Sequence, residues 1–349
     1  EYPGNPEMVH MNHVTCSNRS QYQIQSPKRR PGGQTATVRD QTQFAHERTG
    51  RIQMPFKNPQ YLVETEWLAD HLDDPDIRII DCTAYMPNYF EESAADKVEI
   101  VSGREHWEEG HIPGSGFADI VNDLVDPDND RFMFPMPPPE QFSEVMTGLG
   151  VDQGTRVVLY DDMVNVFATR IWWMFRAFGF ENAAVLNGGW AKWTAEGRPV
   201  STDPAPHYDA NFIASPRTDR IATRDEVLAA IDDGSTCLIN ALDPDEYAGK
   251  GPNRYGRQGH IPTSTNLSFL GVLDMDANTF LSPEEIRKVS EEAGAFDGER
   301  VITYCGGAIA ATSAAFVLTL LGVENVAVYD GSMTEWAADS SLPLVTGMA

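Results

Sequence analysis

Along most of the chain, short and wholly apolar runs alternate with longer stretches of helical period. In the second half, Thr236–Asn240 reads as a strand and Pro283–Gly294 as a helix. Val301–Tyr304 is a second strand, Ala310–Leu321 a helix closed by Gly322, and Val326–Tyr329 a third strand. Strands that are apolar on both faces and are separated by helices predict a parallel sheet covered on both sides. The helix from Ala310 carries Ala311, Ala314, Ala315, Phe316, Val317, Leu318, Leu320 and Leu321, so it is apolar nearly all round. Such a helix has no solvent face and must be buried. Gly322 sits where a glycine in the left-handed conformation ends a helix.

The pattern occurs twice. Gly110-His111-Ile112-Pro113 recurs as Gly259-His260-Ile261-Pro262, and Arg156-Val157-Val158-Leu159-Tyr160-Asp161 as Arg300-Val301-Ile302-Thr303-Tyr304-Cys305. Phe178-Gly179-Phe180-Glu181-Asn182 recurs as Leu321-Gly322-Val323-Glu324-Asn325. Val185-Leu186-Asn187-Gly188-Gly189, followed by Trp193, recurs as Val328-Tyr329-Asp330-Gly331-Ser332, followed by Trp336. The offsets are 149, 144, 143 and 143, in the same order. A repeat of this kind fixes architecture: two copies of one α/β domain, about 60–200 and 217–345, joined by the proline-rich segment from Ser201 to Pro206.

Charge changes the picture at the N-terminus. The 349 residues hold 26 basic and 52 acidic side chains, a net −26. Residues 1–60 hold eight basic and four acidic ones, +4, which leaves −30 for the rest. With its polar composition and no sustained apolar period, the stretch 1–57 is expected to be a disordered tail. It lacks the apolar core of a secretory signal, shows no amphipathic helix of a transit peptide, and Met54 is a candidate initiator. The acidity argues against nucleic acid and anionic membranes as partners. No apolar run approaches the ~20 residues that a spanning helix needs. Four scattered cysteines with no metal-ligand spacing suit a reducing, cytoplasmic setting with no disulfide framework and no zinc site.

Chemistry in parallel α/β sheets collects at the carboxyl ends of the strands. Cys305 stands there, followed by Gly306-Gly307-Ala308-Ile309-Ala310 and the buried helix. A small-residue loop opening a helix can turn its N–H groups inward as an anion nest, to which the helix dipole adds positive potential. A cysteine in that place is expected to have a lowered pKa. Cys82 and Cys237 lie inside strand patterns and read as structural, and Cys16 lies in the tail. Copy one carries Asp161 in place of the cysteine, so one active site per chain is expected, with Asp161 a candidate helix cap. Arg170, Trp172 and Trp173 are expected in the core and at the interface of the copies.

The doubled GHIP motif, the Asp161/Cys305 contrast, the CGGAIA loop and the closing GGWAKW and GSMTEW segments resemble the tandem-domain rhodanese family. The resemblance spans about residues 60–345. It implies two five-stranded parallel sheets wrapped by helices, an inactive first domain and a catalytic second one. It further implies that Cys305 attacks a small-molecule sulfur donor, such as thiosulfate or 3-mercaptopyruvate. A persulfide forms there, cradled by the amides of Gly306, Gly307, Ala308, Ile309 and Ala310, and its outer sulfur passes to cyanide or another thiophile, a protein acceptor included, with no metal or organic cofactor needed. The sequence departs from the family at the loop, where Gly306 and Gly307 stand in places that thiosulfate-preferring members fill with basic residues. It departs again at Asn240-Ala241-Leu242-Asp243, which lacks the family's substrate-gripping arginine. Arg254 and Arg257 are candidate replacements, with a surface role as the alternative. His111 is a candidate cleft residue, with a turn histidine bonded to backbone as the alternative.

Two other classes compete. A cysteine phosphatase on a related fold needs an arginine six residues after the cysteine, for bidentate phosphate contacts, and Ala311 stands there. A sulfur carrier or redox-sensing module using the same Cys305 remains the alternative to an enzyme.

Overall fold

The computed structural model describes residues 55–87, 89 and 99–348. The expectations for residues 1–54, including Cys16 and Met54, fall outside them. The last residue of the predicted tail belongs to the folded body: the N–H groups of Lys57 and Asn58 both donate to the Leu320 carbonyl, at 2.9 and 3.1 Å.

Copy one forms a five-stranded sheet from β1 (Leu62–Val63), β2 (Ile77–Asp81), β3 (Gly116–Phe117), β4 (Arg156–Tyr160) and β5 (Ala183–Leu186). Copy two repeats it with β6 (Ile221–Ala222), β7 (Thr236–Asn240), β8 (Thr265–Asn266), β9 (Arg300–Tyr304) and β10 (Val326–Tyr329). The strand orders, β1-β5-β4-β2-β3 and β6-β10-β9-β7-β8, are the same path drawn twice, and every pairing is parallel. The central strands are buried along nearly their whole length, as apolar runs without alternation require.

Two twelve-residue helices leave the central strands, α1 (Val166–Ala177) after β4 and α2 (Ile309–Leu320) after β9. Every residue of both is buried. They pack against each other between the two sheets, which is why neither has a polar face. Trp172 meets Phe316 edge-on at 4.7 Å, and Thr169 Oγ1 lies 3.2 Å from Thr312 Oγ1 and 3.0 Å from Ser313 Oγ. Each helix ends alike. Gly179 (φ 80°) and Gly322 (φ 91°) adopt the left-handed conformation, and the next N–H reaches back to Phe175 or Leu318.

Arg170 on α1, fully buried, fixes one further contact between the copies. It pairs with Asp330 after β10 at 2.8 Å and donates to the Phe134 carbonyl at 2.8 Å, while Asp330 accepts the Met136 N–H at 2.8 Å. The segment around residues 133–136 of copy one is thereby held against copy two. No helix of the described residues is long and apolar enough to cross a membrane.

Candidate active site

Cys305 directly follows β9 and is only 2% exposed. The backbone N–H groups of Gly306, Gly307, Ala310 and Ala311 face its sulfur. Of the five loop residues named from the sequence, Gly306, Gly307 and Ala310 thus turn their amides to the sulfur. Ala308 does not: its N–H donates to Ser332 Oγ at 3.2 Å. Ile309 contributes its side chain to the cavity wall, and Ala311 joins the nest. Ala308 takes a left-handed φ of 61° at the start of α2, which folds the loop back over the sulfur.

Ser332 holds the loop in place. Its Oγ accepts the N–H groups of both Cys305 (3.1 Å) and Ala308, and donates to the Tyr329 carbonyl at 2.8 Å. The sequence presents Gly331-Ser332 only as the counterpart of Gly188-Gly189 in the repeat. The signal it offered was the replacement, within the repeat, of Gly189 by a hydroxyl-bearing residue.

Copy one shows what the nest can bind. Asp161 Oδ1 accepts the N–H groups of Met163 (2.7 Å) and Asn165 (2.9 Å), and Oδ2 those of Phe167 (2.9 Å) and Ala168 (2.7 Å). Allowing for the one-residue difference in loop length, Phe167 and Ala168 correspond to Ala310 and Ala311. Asn165 takes the same left-handed turn as Ala308, with φ 63°. The nest of copy one is therefore filled by its own carboxylate, beyond the helix cap expected there, and the nest of copy two is built to surround a reacting sulfur.

The expected lowering of the Cys305 pKa is not what the site produces. Burial pushes the thiol above its ordinary range, and the amides of Ala311, Gly307, Gly306 and Ala310 pull it down without overcoming that penalty. The nest was visible in the sequence, whereas its exclusion of water was not.

That exclusion comes from both copies. Cys305, Gly306, Gly307, Ile309 and Ala310 open onto a small cleft of about 50 Å³ that communicates with solvent. Met86, Tyr89, Ile100, Met133, Phe134 and Val166 wall it from copy one, and Leu242, Tyr255 and Phe269 from copy two. A Cβ on Gly307 would lie 3.0 Å from Met133 Cβ, and one on Gly306 would overlap the Tyr255 hydroxyl. A side chain at Gly306 would thus require the Tyr255 ring to move, and one at Gly307 would require Met133 to give way.

The three candidate cationic or histidine residues lie outside that wall. Arg254 pairs with buried Glu246 at 2.9 Å, donates to the Tyr89 carbonyl and covers the Tyr89 ring at 4.6 Å. Arg257 donates to the carbonyls of Trp336, Ala337, Asp339 and Leu342 and so caps the helix Ser332–Trp336. His111 stacks on Trp107 at 4.3 Å with Nδ1 2.7 Å from the Trp107 carbonyl, and its backbone bridges to Ser201. His260 repeats this arrangement on Tyr247. Cys237 is half-buried and Cys82 buried, and neither is among the lining residues. Among the described residues no group of three or more His, Cys, Asp or Glu could hold a metal ion.

Burial raises two carboxyls of copy one, Asp81 to about 7 and Asp161 to about 6. Between about pH 4 and 7 the folded state therefore holds protons that the unfolded chain has released, and stability falls as pH rises. Glu196 is lowered to about 2 and acts oppositely, losing its contribution only in strong acid. The melting temperature is expected to peak near pH 4 and decline toward pH 7. Asp81→Asn is expected to flatten that decline, and a melting temperature that climbs from pH 4 to 7 would contradict the assignment.

Comparison with known proteins agrees with this geometry. The rhodanese-like domain pattern matches residues 64–196 and again 223–339. A sulfur carrier protein of Thermus thermophilus is 31% identical, over 84% of this chain and 99% of that protein. The thiosulfate sulfurtransferase and the 3-mercaptopyruvate sulfurtransferase of Rattus norvegicus are each 31% identical, over 79% of this chain and 91% of theirs. Among solved structures, the 3-mercaptopyruvate sulfotransferase SseA of Escherichia coli superposes with a TM-score of 0.68 at 28% identity. It covers 78% of this chain and 98% of SseA.

Proposed function

The chain belongs to the rhodanese family, and from that premise we propose that it is a sulfurtransferase working through a persulfide on Cys305. In the first half-reaction the Cys305 sulfur attacks the sulfane sulfur of a small donor and expels sulfite, pyruvate or a thiol. In the second, the outer sulfur passes to cyanide or another thiophile, which leaves the cysteine free. Donors fixed before the reaction, the four amides around the sulfur, meet the charge as it develops. The observation that carries this reading is the nest itself, whose twin in copy one holds a carboxylate on four N–H groups at 2.7–2.9 Å. Copy one has no sulfur at that place, so the reading assigns one site to each chain. Free Cys82, Cys237 and Cys305 fit a reducing compartment, and we take the cytoplasm as its setting.

The donor follows from the cleft wall, on which no described residue carries a positive charge. A dianion entering it loses hydration and gains no cationic partner. The kcat/KM for 3-mercaptopyruvate or an organic persulfide is expected to equal or exceed that for thiosulfate. Steady-state kinetics with each donor check this, and a strong preference for thiosulfate would contradict it.

A carrier that hands sulfur to a protein acceptor is the second reading, favoured by the similarity to the Thermus carrier over nearly its whole length. Cyanide-dependent thiocyanate formation separates the two. Many turnovers per chain support the enzyme, and a stoichiometric burst without turnover supports the carrier.

A further inference from the structure

Tyr255 lies between Arg254 and Arg257, and both arginines are anchored to the protein, Arg257 through all three guanidinium nitrogens and Arg254 through Nε and Nη2. Arg254 is locked to Glu246, whose other oxygen accepts the Tyr89 hydroxyl at 3.0 Å. Arg257 is locked to four carbonyls at the end of the Ser332–Trp336 helix, the helix whose first residue staples the catalytic loop. The two anchors leave little freedom to the residue near them, and they place its ring over Gly306, with the hydroxyl where a Gly306 side chain would begin. The ring packs against the core and lines the cleft beside Cys305. No described residue takes a hydrogen bond from its hydroxyl. Burial, and then the negative charge of Glu246, hold the phenol proton well beyond its ordinary range. The group is thus a donor at any working pH and has no partner among the described residues until a ligand arrives.

We propose that Tyr255 is a further catalytic residue, whose hydroxyl donates a hydrogen bond to the leaving sulfur of an organic persulfide donor. This rests on the sulfurtransferase reading above. Cys305 attacks the outer sulfur of R–S–SH, the new S–S bond forms, and the old S–S bond breaks with its electron pair passing to the inner sulfur. That sulfur develops as R–S⁻ against the Tyr255 hydroxyl and receives the proton that Cys305 gives up, so the products are the Cys305 persulfide and R–SH. No external oxidant or reductant enters. Backbone amides alone surround the attacked sulfur. Tyr255 supplies the side-chain donor that the Gly306 position, without a Cβ, cannot carry.

The role has a signature that packing lacks. A hydrogen bond to the departing sulfur matters most when the leaving group is a basic thiolate and least when it is sulfite, which departs unaided. Tyr255→Phe keeps the ring and breaks no hydrogen bond to a described residue, so the melting temperature is expected to be unchanged. Its rate of persulfide formation in single turnovers is expected to fall about a hundredfold with cysteine persulfide and only severalfold with thiosulfate, the loss lying in kcat rather than KM. Gly306→Ala displaces the ring without removing the hydroxyl and is expected to show the same dependence on donor. Equal losses with both donors, or none in either variant, overturn the assignment while leaving the sulfurtransferase reading standing. Failure of the wild-type chain to take sulfur from either donor overturns both.

Discussion

Cys305→Ser is expected to lower sulfur transfer by at least about a thousandfold while leaving the thermal transition in place. The size follows from the part the residue plays: removal of a nucleophile acting in a concerted site costs the whole of its chemistry, and the surrounding donors retain only binding. Stability should survive because the buried contacts of the loop are made by backbone. The Cys305 N–H reaches Ser332, its carbonyl accepts the Met333 N–H at 3.0 Å, and the Gly306 carbonyl accepts that of Thr334 at 3.0 Å. None of these uses the sulfur. Cys82→Ala and Cys237→Ala serve as controls: both should keep their turnover and lose only packing. Thiocyanate formation and thermal unfolding on the four proteins check this. A serine variant with wild-type turnover would move the site elsewhere.

Asp161→Ala is expected to be the most damaging substitution for stability, with a loss of at least about 3 kcal/mol or failure to fold. The carboxylate is wholly buried and accepts four backbone N–H groups. Removing it leaves four donors that neither water nor neighbouring side chains can reach, at about 1–3 kcal/mol for each orphaned group. Asp161→Asn should fall between alanine and wild type, because its oxygen keeps one pair of donors while its amide group faces the other pair. Urea unfolding of the three proteins at pH 7.5 measures the order. An alanine variant as stable as wild type would mean that the nest of copy one needs no anion, and would weaken the argument carried from it to Cys305.

Much of this arrangement was legible in the residues. Thr236–Asn240 and Val326–Tyr329 are strands within the bounds that their apolar runs predicted, and the helix expected from Ala310 to Leu321 runs from Ile309 to Leu320. These succeed because burial on both faces erases alternation and leaves a signal that length alone resolves. The glycine at each helix end and the nucleophile at the strand end were legible for local reasons too, one a backbone conformation and the other a position in the fold.

The cleft wall was not legible. Met133, Phe134 and Tyr255 arrive from irregular segments, Phe134 with a φ of 53°, and their placement depends on Arg170, Arg254 and Arg257 finding distant carbonyls and carboxylates. No period or motif encodes such long-range anchoring. Arg254 and Arg257 look, in the sequence, like free cations available to a substrate. The raised Cys305 thiol has the same origin: the amides that stabilise a thiolate are local, whereas the side chains that exclude water come from both copies.

The most direct test is the intact mass of the full chain after exposure to 3-mercaptopyruvate or cysteine persulfide and removal of excess donor. The account predicts the mass of one added sulfur atom, located on the peptide that contains Cys305, released by cyanide and missing from Cys305→Ser. A chain that gains no sulfur, or that carries it on Cys82 or Cys237 and keeps it in the serine variant, would contradict the account.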